Sequence, residues 1–170
     1  MKIILIAAVG RNRELGKNNS LIWKLPDDLY RFSVLTRDHI VVMGRKTLES
    51  IPGPLARREM IVLTRQPIEG FYTEQNKNSP VKAFGSIDDV LTYCNSKNAD
   101  KLFVIGGAEI YKQFLPLAHE LDLTLIDDEE PKADAFFPEY EQDFIQEFAQ
   151  GMRDERIKVD YKFTRWSRKI

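Results

Sequence analysis

Two adjacent carboxylates, Asp27 and Asp28, follow Pro26 in the stretch LIWKLPDDLYRF (Leu21–Phe32). Proline with acids directly after it marks a helix start. At about 100° per residue, Leu25, Leu29, Phe32 and Leu35 share one apolar stripe with Thr36. Asp28 falls on that stripe between Leu35 and Phe32, whereas Asp27 points away beside Arg31 and Val34. Two readings of Asp28 stand at this point. In the first it complements the helix dipole, as Asp27 does. In the second it is a lone carboxylate in an apolar pocket, where burial raises its pKa unless a partner stabilises the charge. A heterocycle with two parallel N–H donors on one edge would be such a partner. Leu29, Phe32 and Ile51 would wall a flat ring, and the planar fork of Arg58 would take a carboxylate at the ligand's far end.

A second set of polar groups follows three apolar runs. Gly44-Arg45-Lys46-Thr47 comes after HIVVM, Thr64-Arg65 after MIVL, and Gly106-Gly107 after KLFVI. Glycine at a strand end that opens a helix exposes backbone N–H groups to phosphate, and Arg45, Lys46 and Arg65 add full charges. Each feature alone is ordinary surface chemistry, but three coincident strand ends point to a polyphosphate ligand. The pattern is not G-x-G-x-x-G, so the Rossmann fingerprint is absent. A basic Arg65 near a ribose favours a 2′-phosphate, hence NADP over NAD.

These groups need a scaffold that brings strand ends together. Buried strands are predicted at 3–9, 39–43, 60–64, 101–105 and 121–126, with helical patterns at 26–36, 46–51, 86–96 and 108–116. Ser86 with Asp89 resembles a capping box. The alternation predicts an α/β sheet with crossovers, whose ligands bind beyond the strands' carboxyl ends. Segments 143–150 and 159–169, flanking polar 151–158, read as an antiparallel hairpin, and 66–80 as a long surface connection. The length of 170 residues suits one domain, and 43% hydrophobic residues suits a packed core. A net charge of −1 gives no bulk attraction to nucleic acid or acidic membrane. The apolar run at Ile3–Val9 reads as a strand, not a signal peptide, and no run is long enough to span a bilayer. Cys94 is the only cysteine, in keeping with a reducing, cytoplasmic setting; with two His it makes a zinc site improbable.

The order and spacing of LIAAVGRNRELG, W-x-L-P-x-D-L (Trp23–Leu29), VMGRKTLESI (42–51), IVLTR (61–65), VIGGAEIY (104–111), LTLID (123–127), FP (137–138) and Y-x-F (161–163) resemble dihydrofolate reductases of the bacterial chromosomal type. The resemblance implies one domain over 1–170. It implies an eight-stranded, mainly parallel sheet, four flanking helices and a C-terminal antiparallel hairpin, with an adenosine-binding subdomain at about 39–99. It implies NADPH-dependent reduction of dihydrofolate to tetrahydrofolate in one-carbon metabolism, by a cytoplasmic monomer open to diaminopyrimidine or pteridine antifolates. Asp28, Thr124, Trp23 and Leu21 fall at catalytic positions, with Trp23 closing the pocket and helping to hold a water. Substrate positions are Ile6, Ala7, Asp28, Leu29, Phe32, Ile51, Leu55, Arg58, Ile105, Tyr111 and Thr124. Cofactor positions are Ala8, Leu15, Gly16, Gly44, Arg45, Lys46, Thr47, Leu63, Thr64, Arg65, Gly106, Gly107, Ala108, Glu109, Ile110, Tyr111 and Gln113. A cis peptide at Gly106-Gly107 and a mobile lid over 10–25 are also implied. The chain departs from the family's usual pattern at Ile22 (Pro), Leu48 (aromatic), Ala56-Arg57 (Pro-Gly), Ala133 (Gly) and Glu109 (basic in some members). Two other readings are a pyrimidine reductase of riboflavin synthesis and a non-catalytic nucleotide-binding module. The first would want groups for a ribityl phosphate in place of Asp28 and Arg58, and the second would have no purpose for Asp28 or the Trp23 lid.

Overall fold

The computed structural model describes residues 1–66 and 81–170. The surface connection expected at 66–80 lies, from 67 on, outside the described residues. Eleven strands and four helices are found among the described residues. The strands are β1 (Lys2–Val9), β2 (Glu14–Lys17), β3 (Ser20–Leu21), β4 (Ile40–Gly44), β5 (Glu59–Leu63), β6 (Val81–Phe84), β7 (Lys101–Val104), β8 (Glu120–Ile126), β9 (Ala135–Phe136), β10 (Phe144–Asp154) and β11 (Val159–Arg168). The helices are α1 (Pro26–Thr36), α2 (Arg45–Ser50), α3 (Ile87–Ser96) and α4 (Ala108–Phe114), the last followed by a 3-10 turn at Leu115–Leu117.

Eight strands form one sheet in the order β10-β11-β8-β1-β7-β4-β5-β6. From β8 to β6 every pairing is parallel; β11 joins β8, and β10 joins β11, antiparallel. The fold is therefore a single α/β domain with a closing C-terminal hairpin. Side chains alternate across the sheet. Ile3, Leu5, Val9, Val42, Ile61, Val104, Leu121 and Leu123 pack on one face with Val90 and Cys94 of α3 and Ile110 and Phe114 of α4. Ile4, Ile6, Val41, Met43, Val62 and Phe103 pack on the other with Phe32 and Leu35 of α1 and Leu48 of α2. Leu48 is thus a core residue where the family often has an aromatic. No helix among the described residues is long and apolar enough to cross a membrane.

The helix spans follow the sequence reading closely. Pro26 starts α1, and Leu25 before it is extended and buried. Ser86 Oγ accepts from the Asp89 N–H, which caps α3. Four strands escaped the sequence reading: β2, β3 and β9, which form a small second sheet in the order β3-β2-β9, and β6 at the edge of the main sheet. Each has only two to four residues, too few for a period to show. β10 also runs to Asp154, beyond the expected 150. Its pairing with β11 continues to Asp154↔Val159, with Met152 and Val159 packed against Leu25, Ile126, Tyr161 and Phe163.

Segments 36–39 and 57–59 are stitched together beside α1. Asp38 N–H donates to Arg57 O at 2.7 Å, and Glu59 N–H to His39 O at 3.2 Å. Arg57 stands at φ +59°, where the family pattern has glycine, and its guanidinium meets both carboxylate oxygens of Asp38 at 2.9 and 2.5 Å. A left-handed arginine costs roughly 1–2 kcal/mol over glycine's freedom, and the exposed ion pair offsets up to about 1 kcal/mol of it. Arg57→Gly is expected to hold stability within about 1 kcal/mol of the parent, whereas Arg57→Ala keeps the strain and loses the pair. Urea unfolding should place the Ala variant below the Gly variant; the reverse order would show that the left-handed turn is not the controlling feature.

Candidate active site

α1 lies over the β8 side of the sheet face that carries Ile4 and Ile6. Ile6↔Asp122 and Ala8↔Thr124 are register partners, so Asp122 and Thr124 share the face of Ile6 and Ala8. Thr124, buried, donates its hydroxyl to Asp28 Oδ1 at 2.5 Å. Oδ2 of Asp28 has no donor among the described residues. Burial pushes the Asp28 carboxyl above its usual range; the Thr124 hydrogen bond and the Arg31 charge oppose that, and Asp122 adds to it. Arg31, one turn along α1, pairs with the buried Asp122. Leu25, Phe32 and Leu35 are covered as their stripe predicts, but Leu29 on the same stripe keeps 47% of its surface exposed. Ile51, Leu55 and Ile105 are half-buried against the same core cluster as Phe32.

The strand ends converge next to this carboxylate. Ile105 N–H donates to Val42 O at 2.9 Å, and Gly44 N–H to Gly106 O at 2.8 Å, which ties the ends of β4 and β7 together. The Gly106-Gly107 peptide is cis, and Gly106 has φ +110°. A side chain at Gly106 would press on the Tyr111 ring at 3.1 Å. The Tyr111 hydroxyl donates to Ile6 O at 2.7 Å, within β1. Tyr111 therefore connects the twin glycines to the strand that flanks Thr124.

Beyond these ends lies a cleft of about 930 Å³. Twelve of the sequence-assigned cofactor residues line it: Gly44, Arg45, Lys46, Thr47, Leu63, Thr64, Arg65, Gly107, Ala108, Glu109, Ile110 and Gln113. Gly106, Tyr111, Ala8, Leu15 and Gly16 do not line it. Gly106 and Tyr111 stand behind its wall, Ala8 lies on β1, and Leu15 and Gly16 lie on β2. Backbone space is used fully: a Cβ at Gly44 would meet Ile110 Cγ1 at 3.0 Å. Arg45 pairs with Glu49 at 3.1 Å, and Glu109 accepts from Gln113 at 3.2 Å. Gly85, Ser86, Ile87, Asp88, Asn19 and Ala135 also line the cleft and were not found from sequence. The Ser86 cap signal was legible; its place in the cleft was not, because β6 that delivers it was missed.

The segment expected as a lid is held at several points. Asn18 and Asn19, both left-handed, turn β2 into β3. Asn18 N–H donates to Asp134 at 2.9 Å, and Asn19 Nδ2 to Lys46 O at 3.2 Å. Leu21 is 53% exposed. Trp23 packs with Leu25, Ile126, Tyr161 and Phe163, and its ring would collide with any side chain at Gly10. Its indole N–H is donated to Asp128 at 2.9 Å, and that bond holds the Asp128 carboxyl below its usual range. Arg58, half-buried, donates from Nε to Ala56 O at 2.9 Å and from Nη1 to Thr36 Oγ1 at 3.3 Å. It lies 6.0 Å from the Phe32 ring centroid and pairs with no carboxylate among the described residues. Among those residues no cluster of His, Cys, Asp or Glu could hold a metal ion.

A family model described as dihydrofolate reductase matches residues 2–168. The dihydrofolate reductase of Bacillus subtilis (strain 168) is 37% identical over 169 residues, 98% of this chain and 95% of the relative. That of Haemophilus influenzae is 36% identical over 99% of this chain and its own full length. Dihydrofolate reductase type 1 of Escherichia coli is 33% identical over 99% of both chains.

The pKa direction at Asp28 has a consequence for stability. A carboxyl raised in the folded state binds more protons than in the unfolded chain, so its contribution is full below the unfolded value of about 3.9 and is lost as pH rises through the folded value. Asp28→Asn keeps the acceptor for Thr124 and removes the charge. Its Tm is expected to exceed the parent's at pH 7 and to match it near pH 3. A neutral-pH Tm below the parent's would mean that the ionised carboxylate stabilises the fold.

Proposed function

The chain belongs to the dihydrofolate reductase family, and we propose from that membership that it reduces 7,8-dihydrofolate to 5,6,7,8-tetrahydrofolate with NADPH. The observation that carries the reading is Asp28, a carboxylate on the apolar side of α1 with one oxygen held by Thr124 and the other without a donor among the described residues. Two parallel N–H groups on a pterin edge would give that carboxylate the partner it lacks. Leu29 and Leu21, exposed in this structure, would be covered by the ring and the bound cofactor. Phe32, Ile51, Leu55 and Ile105, with Ile6 and Ala7 at the end of β1, would wall the substrate. Arg58, which pairs with no carboxylate among the described residues, would take the glutamate tail.

The residues present fit a dinucleotide phosphate. Gly44 and Gly107 leave room for backbone approach, and Arg45, Lys46, Thr47, Thr64 and Arg65 surround one cleft. Arg65 and Thr64 would hold the 2′-phosphate, and Gly44–Thr47 with Gly107 and Ala108 the pyrophosphate. Held there, NADPH would supply the hydride for C6 of the pterin. The protein's part is orientation: Asp28 fixes the ring, the twin glycines let the two ligands approach, and the lid residues Gly16, Leu21 and Trp23 exclude bulk water. Asp28 would face the ring edge opposite N5. The N5 proton would therefore come from a water admitted beside Leu21, with the Asp28 charge making N5 more basic from a distance. A monomer in the cytoplasm is the setting this reading carries with it.

Loss of NADPH absorbance on adding dihydrofolate, blocked by a diaminopyrimidine, is the direct test; no loss would remove the reading. Asp28→Asn is expected to be slower by at least about 100-fold at neutral pH and to recover in acid, where free substrate is protonated. Equal slowness at every pH would argue against a role in ring basicity. Arg58→Leu is expected to weaken dihydrofolate by about 10- to 100-fold while leaving a bare dihydropterin unchanged. The same loss for both would put Arg58 outside the tail site.

A further inference from the structure

Two rungs, not one, join α1 to β8. Asp28 and Arg31 stand three residues apart on the helix, and Asp122 and Thr124 stand two apart on one face of the strand. Helix neighbours at i, i+3 are about 5–6 Å apart, and strand neighbours at i, i+2 roughly 7 Å, so both rungs close together. Thr124 bonds Asp28 and Arg31 pairs with Asp122. The second rung has more than anchoring requires. Asp122 is only 4% exposed, yet its other oxygen also meets Arg165 of β11, its register partner, at 3.5 Å. Arg31 lies besides over the Phe163 ring, 4.8 Å from its centroid, so it is held on two sides. One buried anion between two cations leaves an excess positive charge one helical turn from Asp28.

We propose that Arg31, Asp122 and Arg165 are positioning residues for Asp28: their pairing sets the height of α1 on β8, and their net charge sets how readily the Asp28 carboxyl ionises. The other groups facing Asp28 are the hydroxyls of Thr124 on β8, Tyr111 on α4 and Tyr161 on β11. Burial raises both phenols above their ordinary range, so they stay neutral. Asp27 on the same helix is exposed and screened by water. Among the described residues Arg31 and Asp122 are therefore the nearer charges that act on Asp28 with opposite sign, Arg31 favouring its ionised form and Asp122 opposing it, and Arg165 acts through its pair with Asp122. The effect on turnover rests on the reductase reading above; the effect on ionisation does not.

The test is a carboxyl ¹³C titration of Asp28 in the whole, ligand-free protein. Arg31→Met is expected to raise the Asp28 midpoint and Asp122→Asn to lower it, each by about one pH unit, while Arg31→Lys stays near the parent. The pH dependence of dihydrofolate binding, which on the reading above needs the ionised carboxylate, is expected to move in the same two directions. A contact that only held the helix would move Tm and leave both midpoints alike. Melting curves accompany each variant because Asp122 is buried. Should Asp122→Asn not fold, Arg165→Met replaces it, with a shift expected in the direction of Arg31→Met. Folded variants whose midpoints are unmoved, or where Arg31→Met and Asp122→Asn move the same way, overturn the proposal. Opposite shifts in a chain that does not turn over dihydrofolate uphold the proposal and remove the reductase reading alone.

Discussion

A carboxylate that folds onto the apolar side of a helix must find compensation for lost water. In this protein the compensation at Asp28 is partial: one hydroxyl, from Thr124, and one helical neighbour's charge, from Arg31. The incompleteness organises what surrounds it. α1 must lie over the β8 side of the sheet so that the hydroxyl reaches, and β8 must follow β1 in the sheet order so that Thr124 stands beside Ala8. The strand ends that shape the neighbouring cleft are then brought to the same edge by parallel pairing. A site whose charge is only partly bonded among the described residues thus rests on a continuous eight-stranded sheet.

Stability and function pull against each other at this carboxylate. The fold alone would be content with a neutral side chain at position 28, since burial disfavours the charge. On the proposed reading, ring binding needs the charge. Tolerating it falls to the hydrophobic clusters on both sheet faces, which are continuous from β1 outward and do not involve Asp28. The same division applies at Arg57, where a left-handed residue outside the site is steadied by an ion pair to Asp38.

What could be read in the sequence follows from the range of the interactions involved. α1 was legible to the residue because proline, acids and an apolar stripe all act within one or two turns. The strand-end glycines and cations were legible because each follows its own apolar run. The second sheet was not, although Asn18-Asn19 is the kind of pair that takes a left-handed two-residue turn. β6 was too short to show a period, and the Ser86 side of the cleft was lost with it. The Trp23–Asp128 and Arg31–Asp122 contacts join residues about a hundred positions apart. They depend on where β8 lies in the sheet, which no local pattern states.

The exposed leucines have a bearing on drug escape. On the proposed reading, an inhibitor that imitates the pterin must grip the same free oxygen of Asp28, so selection cannot weaken that grip without starving the cell of product. Leu21 and Leu29, open to solvent and outside the buried clusters, can change in bulk without disturbing the packed core or that oxygen. Resistance would accumulate at these walls first, through changes in bulk that a large synthetic tail feels and a compact natural substrate does not.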